Sequence, residues 1–288
     1  DAISDSTVAY IQSFAKSSSP FFLYVAHTAP HWPLMALPED IEKYKDTYKS
    51  GWDAIRKSRY DRMVKMGLID PKTTPLSERW DKQQTWEANA DKEWDARAMA
   101  VHAAMIDRMD QGIGKLIAEL KRTKQFENTL ILYLQDNGGC AEPMGRNVAK
   151  NREDGPRKDK PTLPILAADE LPKPSPPQQT RDGYPVRQGP NVIPGAADTY
   201  VAYGEGWANV SNTPLREYKH WVHEGGISTP LVAHWPAGIT AKGVLRTQPG
   251  HLIDIMATCV ELSGAKYPKE ATPLEGKSLV PAFAQHTL

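Results

Sequence analysis

The sequence predicts an α/β fold in which a mostly parallel sheet is flanked by helices. Apolar runs of strand length occur at residues 21–26, 129–134 and 230–235, each bounded by turn-forming residues. Segments with helical periodicity lie around these runs, and such alternation is typical of doubly wound folds. At 288 residues, the chain is long enough to bury an ample hydrophobic core.

The helical segments are predicted from the spacing of their apolar residues. Residues 3–16 have apolar side chains at near-helical spacing, and residues 38–92 are expected to hold shorter helical pieces joined by loops. The longest periodic segment covers about residues 90–122, with apolar residues every three to four positions. A further helix is predicted around 252–262, and Gly264 is its expected end.

The three apolar runs are expected to be strands buried on both faces, as in parallel sheets. The second run leads directly into Asp136-Asn137, and the first is followed by His27 and His31. In doubly wound folds, ligands bind beyond the carboxyl ends of the strands. The positions of these polar residues therefore predict a functional site at that edge of the sheet.

Composition excludes several classes of partner. The chain has 35 basic and 35 acidic side chains, whereas proteins that bind nucleic acid or anionic membranes usually have a basic surplus. No apolar run approaches the roughly 20 residues that span a bilayer. The two cysteines, Cys140 and Cys259, are too few for a disulfide framework.

The stretch 147–195 differs from the rest of the chain. Eleven of the 24 prolines lie between residues 141 and 195, and a run of mixed charges extends from Lys150 to Lys160. Because the stretch has no periodic apolar pattern, we predict an irregular, solvent-facing Pro-rich loop excursion. It would then belong to a single catalytic domain of residues 1–288 and form no domain of its own.

Asp136 and Asn137 offer a carboxylate and an amide oxygen before Gly138-Gly139. Hard oxygen ligands of this kind suit Ca²⁺ or Mg²⁺. The alternative is a tight turn capped by Asx side chains, because Asp-Asn and Asn-Gly are common turn formers.

Three further side chains could take part in chemistry. His31, held between prolines, could bind an oxyanion or protonate a leaving group, and His27 is a rival that spacing does not exclude. Lys219 could supply a point charge for an anionic oxygen, although most lysines are solvated surface groups. A zinc site at His220 and His223 is rejected, because no further Cys or His at suitable spacing completes it.

Taken together, these residues lie in three motifs that follow one another along the chain. The motifs are His27-Thr-Ala-Pro-His31-Trp-Pro33, Gln135-Asp-Asn-Gly-Gly139 and Lys219-His-Trp-Val-His-Glu-Gly-Gly226. In this order they resemble the formylglycine-dependent sulfatases of the alkaline phosphatase superfamily. The resemblance covers nearly the whole chain, and the stretch 206–214 is similar to bacterial arylsulfatases in particular.

The resemblance implies an alkaline phosphatase-like α/β fold and a sulfuric ester hydrolase acting on aryl or carbohydrate sulfate esters. By motif position, Asp136 and Asn137 match two ligands of a calcium ion, and Lys219 matches the lysine that grips the sulfate group. His31, which precedes Trp-Pro, matches the sulfate-contacting histidine. The resemblance also implies a periplasmic or secreted location.

The chain departs from the family pattern in one important respect. The family's nucleophile is a formylglycine made from a Cys/Ser-x-Pro-x-Arg signature, and no such pattern occurs in this sequence. We therefore expect the chain to be the middle and later part of the catalytic domain, with an incomplete fold. The formylglycine is expected in an amino-terminal region that precedes the chain, and the family's small carboxyl-terminal domain is expected to follow it. The isolated chain is expected to turn over no sulfate ester.

Two alternatives remain at this point. The protein could be a phosphodiesterase or phosphonate hydrolase of the same superfamily, or a non-catalytic relative that binds sulfated glycans. The joint presence of His31, Asp136, Asn137 and Lys219 counts against the non-catalytic alternative.

Overall fold

A computed structural model describes residues 1–79, 83–148, 152–172 and 176–284. Within these ranges the helices and strands are α1 (Ala2–Phe14), α2 (Pro38–Glu42), α3 (Gly51–Lys65), α4 (Lys92–Arg122), β1 (Ile131–Leu134), α5 (Glu205–Ser211), α6 (Glu224–Ile227), β2 (Leu231–His234), α7 (Ile253–Ser263) and α8 (Val280–Phe283). A single 3₁₀ turn, Phe126–Asn128, precedes β1.

The chain divides into two compact units. Unit 1 contains Asp1, residues 26–113 and residues 137–229. Unit 2 contains residues 2–25, residues 114–136 and the chain from Pro230 onward. Helix α4 therefore contributes its first part to unit 1 and its last part to unit 2.

The core of unit 1 is built around aromatic side chains and the first part of α4. The rings of Trp52 and Trp86 meet edge to face with their centroids 4.7 Å apart, and Trp52 and Trp207 are 5.8 Å apart. Ala98 and Val101 of α4 are fully buried in the same cluster. Edge-to-face aromatic packing adds to the stabilisation from area burial alone.

The helices predicted from periodicity are confirmed. The segments near residues 3–16, 90–122 and 252–262 form α1, α4 and α7. Gly264 ends α7 in the left-handed conformation, with φ of 64°. Among the described residues, no helix has the length and apolar character needed to cross a bilayer.

Unit 2 contains the two strands, which pair antiparallel. Ile131 lies opposite His234, and Leu134 lies opposite Leu231. The parallel arrangement predicted for these runs is therefore wrong for this pair, because an apolar run predicts a strand but does not fix its direction.

The predicted strand at residues 21–26 is absent from the structure. The segment is extended, and Phe22 and Tyr24 are 70% and 80% exposed, but it pairs with no strand in the part of the chain that the structure describes. A strand is defined by its hydrogen-bonded partner, and without one the apolar run stays irregular.

The described residues of the 147–195 stretch form no helix or strand, and residues 149–151 and 173–175, which include Lys150, lie outside the description. Ile165 and Leu171 are each 73% exposed, whereas Val186 and Val192 are buried. The solvent-facing course predicted for the whole stretch is therefore wrong near residues 186–195. In this part, Arg187 forms an ion pair with the buried carboxylate of Asp198.

Candidate functional site

Two glycine pairs hold the loops of the candidate site together in unit 1. The backbone N–H of Gly138 donates to the carbonyl oxygen of Gly226 at 3.0 Å. A Cβ atom at Gly138 would lie 1.8 Å from the carbonyl oxygen of Gly225, so no larger residue fits without movement of the backbone. Glycine is therefore required here for close backbone approach.

Lys219 is held against the same turn. Its backbone N–H donates to the carbonyl oxygen of Gly139 at 3.0 Å. The preceding residue, Tyr218, is buried and its hydroxyl contacts the carboxylate of Glu205. Burial, reinforced by this carboxylate, raises the pKa of Tyr218, so the phenol stays neutral and anchors the start of the loop.

The His-Trp-Pro motif reaches the site through its tryptophan. The indole Nε1 of Trp32 donates to Sγ of Cys140 at 3.0 Å and to Oε2 of Glu142 at 3.3 Å. His31, exposed at the surface, donates from Nδ1 to the carbonyl oxygen of Trp32 at 2.7 Å. The rival His27 is half-buried, and burial lowers its pKa.

Glu142 links the first motif to the third. Its Oε1 atom lies 2.9 Å from Nε2 of His220, and its Oε2 atom accepts from Trp32. Burial by itself raises the pKa of Glu142, but the hydrogen bonds from His220 and Trp32 and the charge of Lys219 outweigh it. The net pKa is lowered. Glu142 is therefore a carboxylate at neutral pH.

His220 has an unusual backbone conformation for its residue type. Its φ is 79°, in the region that favours glycine, while its side chain is 66% exposed. Such a conformation costs on the order of 1 kcal/mol in a residue with a Cβ atom. The contact with Glu142 fixes the imidazole beside Lys219.

The structure thus links the loops that carry three of the four predicted site residues, His31, Asn137 and Lys219, in unit 1. Gly139, two positions after Asn137, contacts Lys219, and Glu142 connects the neighbours of Lys219 and His31. Asp136 directly precedes Asn137 in the chain and is exposed. The chemical roles given to these residues stay predictions.

The donor set at Asp136 and Asn137 is partly suited to a hard divalent cation. Nδ2 of Asn137 donates to the carbonyl oxygen of Gly138 at 2.9 Å, which leaves its side-chain oxygen to act as an acceptor. Calcium takes six to eight oxygens, so these two residues fit as part of a shell. In the described ranges, no group of three or more His, Cys, Asp or Glu residues could hold a metal ion.

Sequence reasoning missed Glu142 and gave His220 only a rejected zinc role. Glu142 follows Cys140 in a segment without a recognised spacing, so nothing in the sequence marks it. Its importance depends on the fold, which places Trp32 and His220 on either side of one carboxylate. The positive φ of His220 is likewise not predictable from the sequence, because the residue is not a glycine.

Comparison with known proteins decides the family. A sequence model described as Sulfatase matches residues 1–265. The chain belongs to the sulfatase family. An arylsulfatase of Klebsiella aerogenes is 32% identical over 270 residues, covering 90% of this chain and 51% of that protein. An uncharacterized sulfatase of Schizosaccharomyces pombe is 29% identical, covering 92% of this chain and 43% of that protein.

A solved structure supports the same fold for this sulfatase chain. The crystal structure of Ps i-CgsB in complex with k-i-k-neocarrahexaose has a TM-score of 0.55 and 22% sequence identity, and it covers the whole of this chain and 38% of that one. The chain accordingly has the α/β, alkaline phosphatase-like fold of sulfatases. It spans about half the length of the curated relatives it matches.

Proposed function

We propose that the chain forms part of the active site of a sulfuric ester hydrolase that cleaves aryl or carbohydrate sulfate esters. Membership of the sulfatase family supports the reaction class. The single observation that carries the site proposal is the hydrogen bond from the backbone of Lys219 to Gly139. It holds Lys219, the proposed sulfate-binding residue, against the turn that begins with the predicted cation ligands.

In this proposal Lys219 and His31 have two different roles in the same reaction. Cleavage of a sulfate ester needs positive charge near the sulfate oxygens and a proton for the leaving oxygen. The ammonium group of Lys219 would neutralise a sulfate oxygen. A protonated His31 would donate its proton to the departing alcohol or phenol, and its exposure leaves it accessible to substrate.

Glu142 has a positioning role in the proposal. It accepts hydrogen bonds from Trp32 and His220, the neighbours of His31 and Lys219 in the sequence. A carboxylate shared by two loops fixes their separation, and the spacing of catalytic groups affects rate strongly.

A calcium ion would be held in part by Asp136 and Asn137. When bound, it would supply further positive charge to the sulfate oxygens. None of the proposed site residues is the formylglycine nucleophile, because no Cys/Ser-x-Pro-x-Arg signature occurs in this sequence.

The proposal also includes a substrate class and a cellular location. Relatives of this chain include an arylsulfatase and a structure determined with an oligosaccharide, which supports both aryl and carbohydrate sulfates. A periplasmic or secreted location rests on the family resemblance, and fractionation of cells that produce the natural protein would test it.

The experiment is hydrolysis of p-nitrophenyl sulfate by the natural full-length protein with calcium present. We expect Lys219→Ala to lower kcat/KM by about 10²-fold or more, because it removes the positive charge that neutralises a sulfate oxygen. Lys49→Ala is the matched control, since Lys49 is an exposed lysine that pairs with Asp46 at the surface, and activity should be unchanged.

A p-nitrophenyl phosphonate ester provides the second arm. Faster turnover of the phosphonate than of the sulfate would favour the phosphonate hydrolase alternative. Equal activity of wild type and Lys219→Ala on the sulfate would contradict the proposed site.

A further inference from the structure

None of the proposed site residues lies in the stretch 206–214, which is similar to bacterial arylsulfatases. Most of this stretch forms α5, and the helix is anchored in the core of unit 1. Trp207 is fully buried, and its indole Nε1 donates to the backbone oxygen of Asp95 at 2.9 Å. Ala208 is fully buried in the same hydrophobic cluster. The position of α5 is therefore fixed by its packing.

Asn212 follows the last residue of α5, and its side chain binds both loops of the candidate site. Its backbone N–H donates to a carbonyl oxygen of the final turn of the helix. Its Oδ1 accepts from the backbone N–H of Gly139 at 2.8 Å, and its Nδ2 donates to the carbonyl oxygen of Glu217 at 3.0 Å. Gly139 lies two residues after Asn137, and Glu217 lies two residues before Lys219. One amide thus joins both loops to a fixed helix.

The end of α5 also packs closely against the glycine turn. A Cβ atom at Gly139 would lie 2.8 Å from the hydroxyl oxygen of Tyr203 and 3.2 Å from Cβ of Ser211. A Cβ atom at Gly138 would lie 3.2 Å from Oδ1 of Asn212. The turn therefore cannot move toward α5 without displacing these atoms, and the hydrogen bond to Asn212 opposes movement away from it.

The two partners of the side chain require an amide at position 212. Gly139 offers a donor and Glu217 an acceptor, so the side chain between them has to accept and donate at once. A carboxylate has no hydrogen to donate, and an aliphatic side chain can do neither. A serine hydroxyl can do both, but it lies one bond closer to the backbone and does not reach both loops.

We propose that Asn212 is a positioning residue for sulfate ester hydrolysis, which sets the distance between the Gly138-Gly139 turn and the loop that carries Lys219. The inference rests on the proposed function, because it takes Lys219 to be the residue that binds the sulfate group. One hydrogen bond fixes the chain at Glu217, and the other fixes the turn that accepts from the backbone of Lys219. Misplacement of a catalytic group by about 1 Å can lower the rate about 10²-fold.

The test compares two variants of the natural full-length protein on p-nitrophenyl sulfate with calcium present. Asn212→Leu removes both hydrogen bonds of the amide and nearly keeps its size. Thr213→Val is the matched control, since it removes the buried hydrogen bond from Oγ1 of Thr213 to the carbonyl oxygen of Val210 near the same end of α5. Both changes should lower the melting temperature by a similar few degrees. We expect Asn212→Leu to lower kcat/KM by about tenfold or more and Thr213→Val to leave it unchanged.

A Lys219→Ala background separates positioning from a general structural effect. If Asn212 acts through Lys219, Asn212→Leu should cost much less in kcat/KM when the lysine is already alanine. Its effect on the melting temperature should be the same in both backgrounds, because the backbone hydrogen bonds of the loops do not need the lysine side chain. Asn212→Ala, which leaves room for water in place of the amide, takes the same comparison if the leucine variant does not fold.

Two results would overturn the inference. Equal kcat/KM values for Asn212→Leu and Thr213→Val would mean that the amide serves stability alone. An equal fold loss from Asn212→Leu in the wild-type and Lys219→Ala backgrounds would mean that Asn212 does not act through the lysine. Wild-type activity of Lys219→Ala would instead contradict the proposed function, and this inference with it, so the two failures are distinguishable.

Discussion

The turns of the candidate site are packed more tightly than the strands of unit 2. Gly138 is buried, and a Cβ atom there would lie 1.8 Å from the backbone of Gly225. In β2, by contrast, Leu231 and Val232 are 42% and 57% exposed. The stability of the site loops therefore depends on the close approach of their backbones. The stability of the strands depends on the burial of their side chains, and these are only partly buried among the described residues.

This difference teaches where substitutions should matter. Contacts between backbone atoms have no room to adjust, because the loops on both sides are fixed by hydrogen bonds. A half-exposed strand position tolerates a change of side chain if strand propensity is kept. The two regions should thus respond very differently to the addition or exchange of a single methyl-sized group.

The largest effect is expected for Gly138→Ala. The added methyl group forces Gly138 and Gly225 apart, which should lower the free energy of unfolding by about 3 kcal/mol. It should also lower sulfatase activity, because Lys219 is held against the same turn. Chemical denaturation and a p-nitrophenyl sulfate assay measure both effects.

Gly114→Ala is the matched control. Gly114 lies in α4, and its added Cβ would meet nothing within 4 Å. The change should raise the free energy of unfolding by about 0.5 kcal/mol or more, because alanine favours helix. Similar effects of the two alanines would remove the distinction between packed turns and open positions.

An intermediate effect is expected for Glu142→Gln. The amide keeps the shape but loses the charge that strengthens the contacts with His220 and Trp32, which should cost about 1 kcal/mol at pH 7. The pKa of Glu142 is lowered in the folded state, so its stabilisation is present above the ordinary carboxyl range. It is lost as pH falls through the folded pKa.

The measurement is the free energy of unfolding of wild type and Glu142→Gln across pH 3 to 7, roughly the range over which carboxyl groups titrate. The difference between them should be largest at neutral pH and should vanish at the acid end. A difference that grows on acidification would show that the sign of the pKa shift is wrong.

The smallest effect is expected for Val232→Thr. Threonine has nearly the same shape and a high strand propensity, and the position is more than half exposed. The free energy of unfolding should change by less than about 0.5 kcal/mol. A loss comparable to that of Gly138→Ala would indicate that β2 is buried in the native protein in solution.

The sequence predicted the helices well, because periodic apolar spacing over many residues has one structural solution. Residues 90–122 became α4 and Gly264 ended α7. The run at residues 21–26 was wrongly predicted as a strand, because pairing depends on a partner segment that the run itself does not specify. The parallel arrangement predicted for β1 and β2 was wrong, because an apolar run does not specify the direction in which a strand pairs.

The candidate site was only partly predictable. Lys219 and Asn137 lie in motifs that the sequence displays, and the structure places both in one pair of loops. Glu142 became visible only when the fold brought Trp32 and His220 to it.

The central claim is that His31 and Lys219 act on one sulfate group. A double-mutant cycle on kcat/KM for p-nitrophenyl sulfate tests it, with His31→Ala, Lys219→Ala and the double variant of the natural full-length protein. Residues that act as a unit are non-additive, so the double variant should lose much less than the product of the single losses. If the activation free-energy change of the double variant equals the sum of the two single changes to within about 0.5 kcal/mol, the two residues act independently, which would contradict the account.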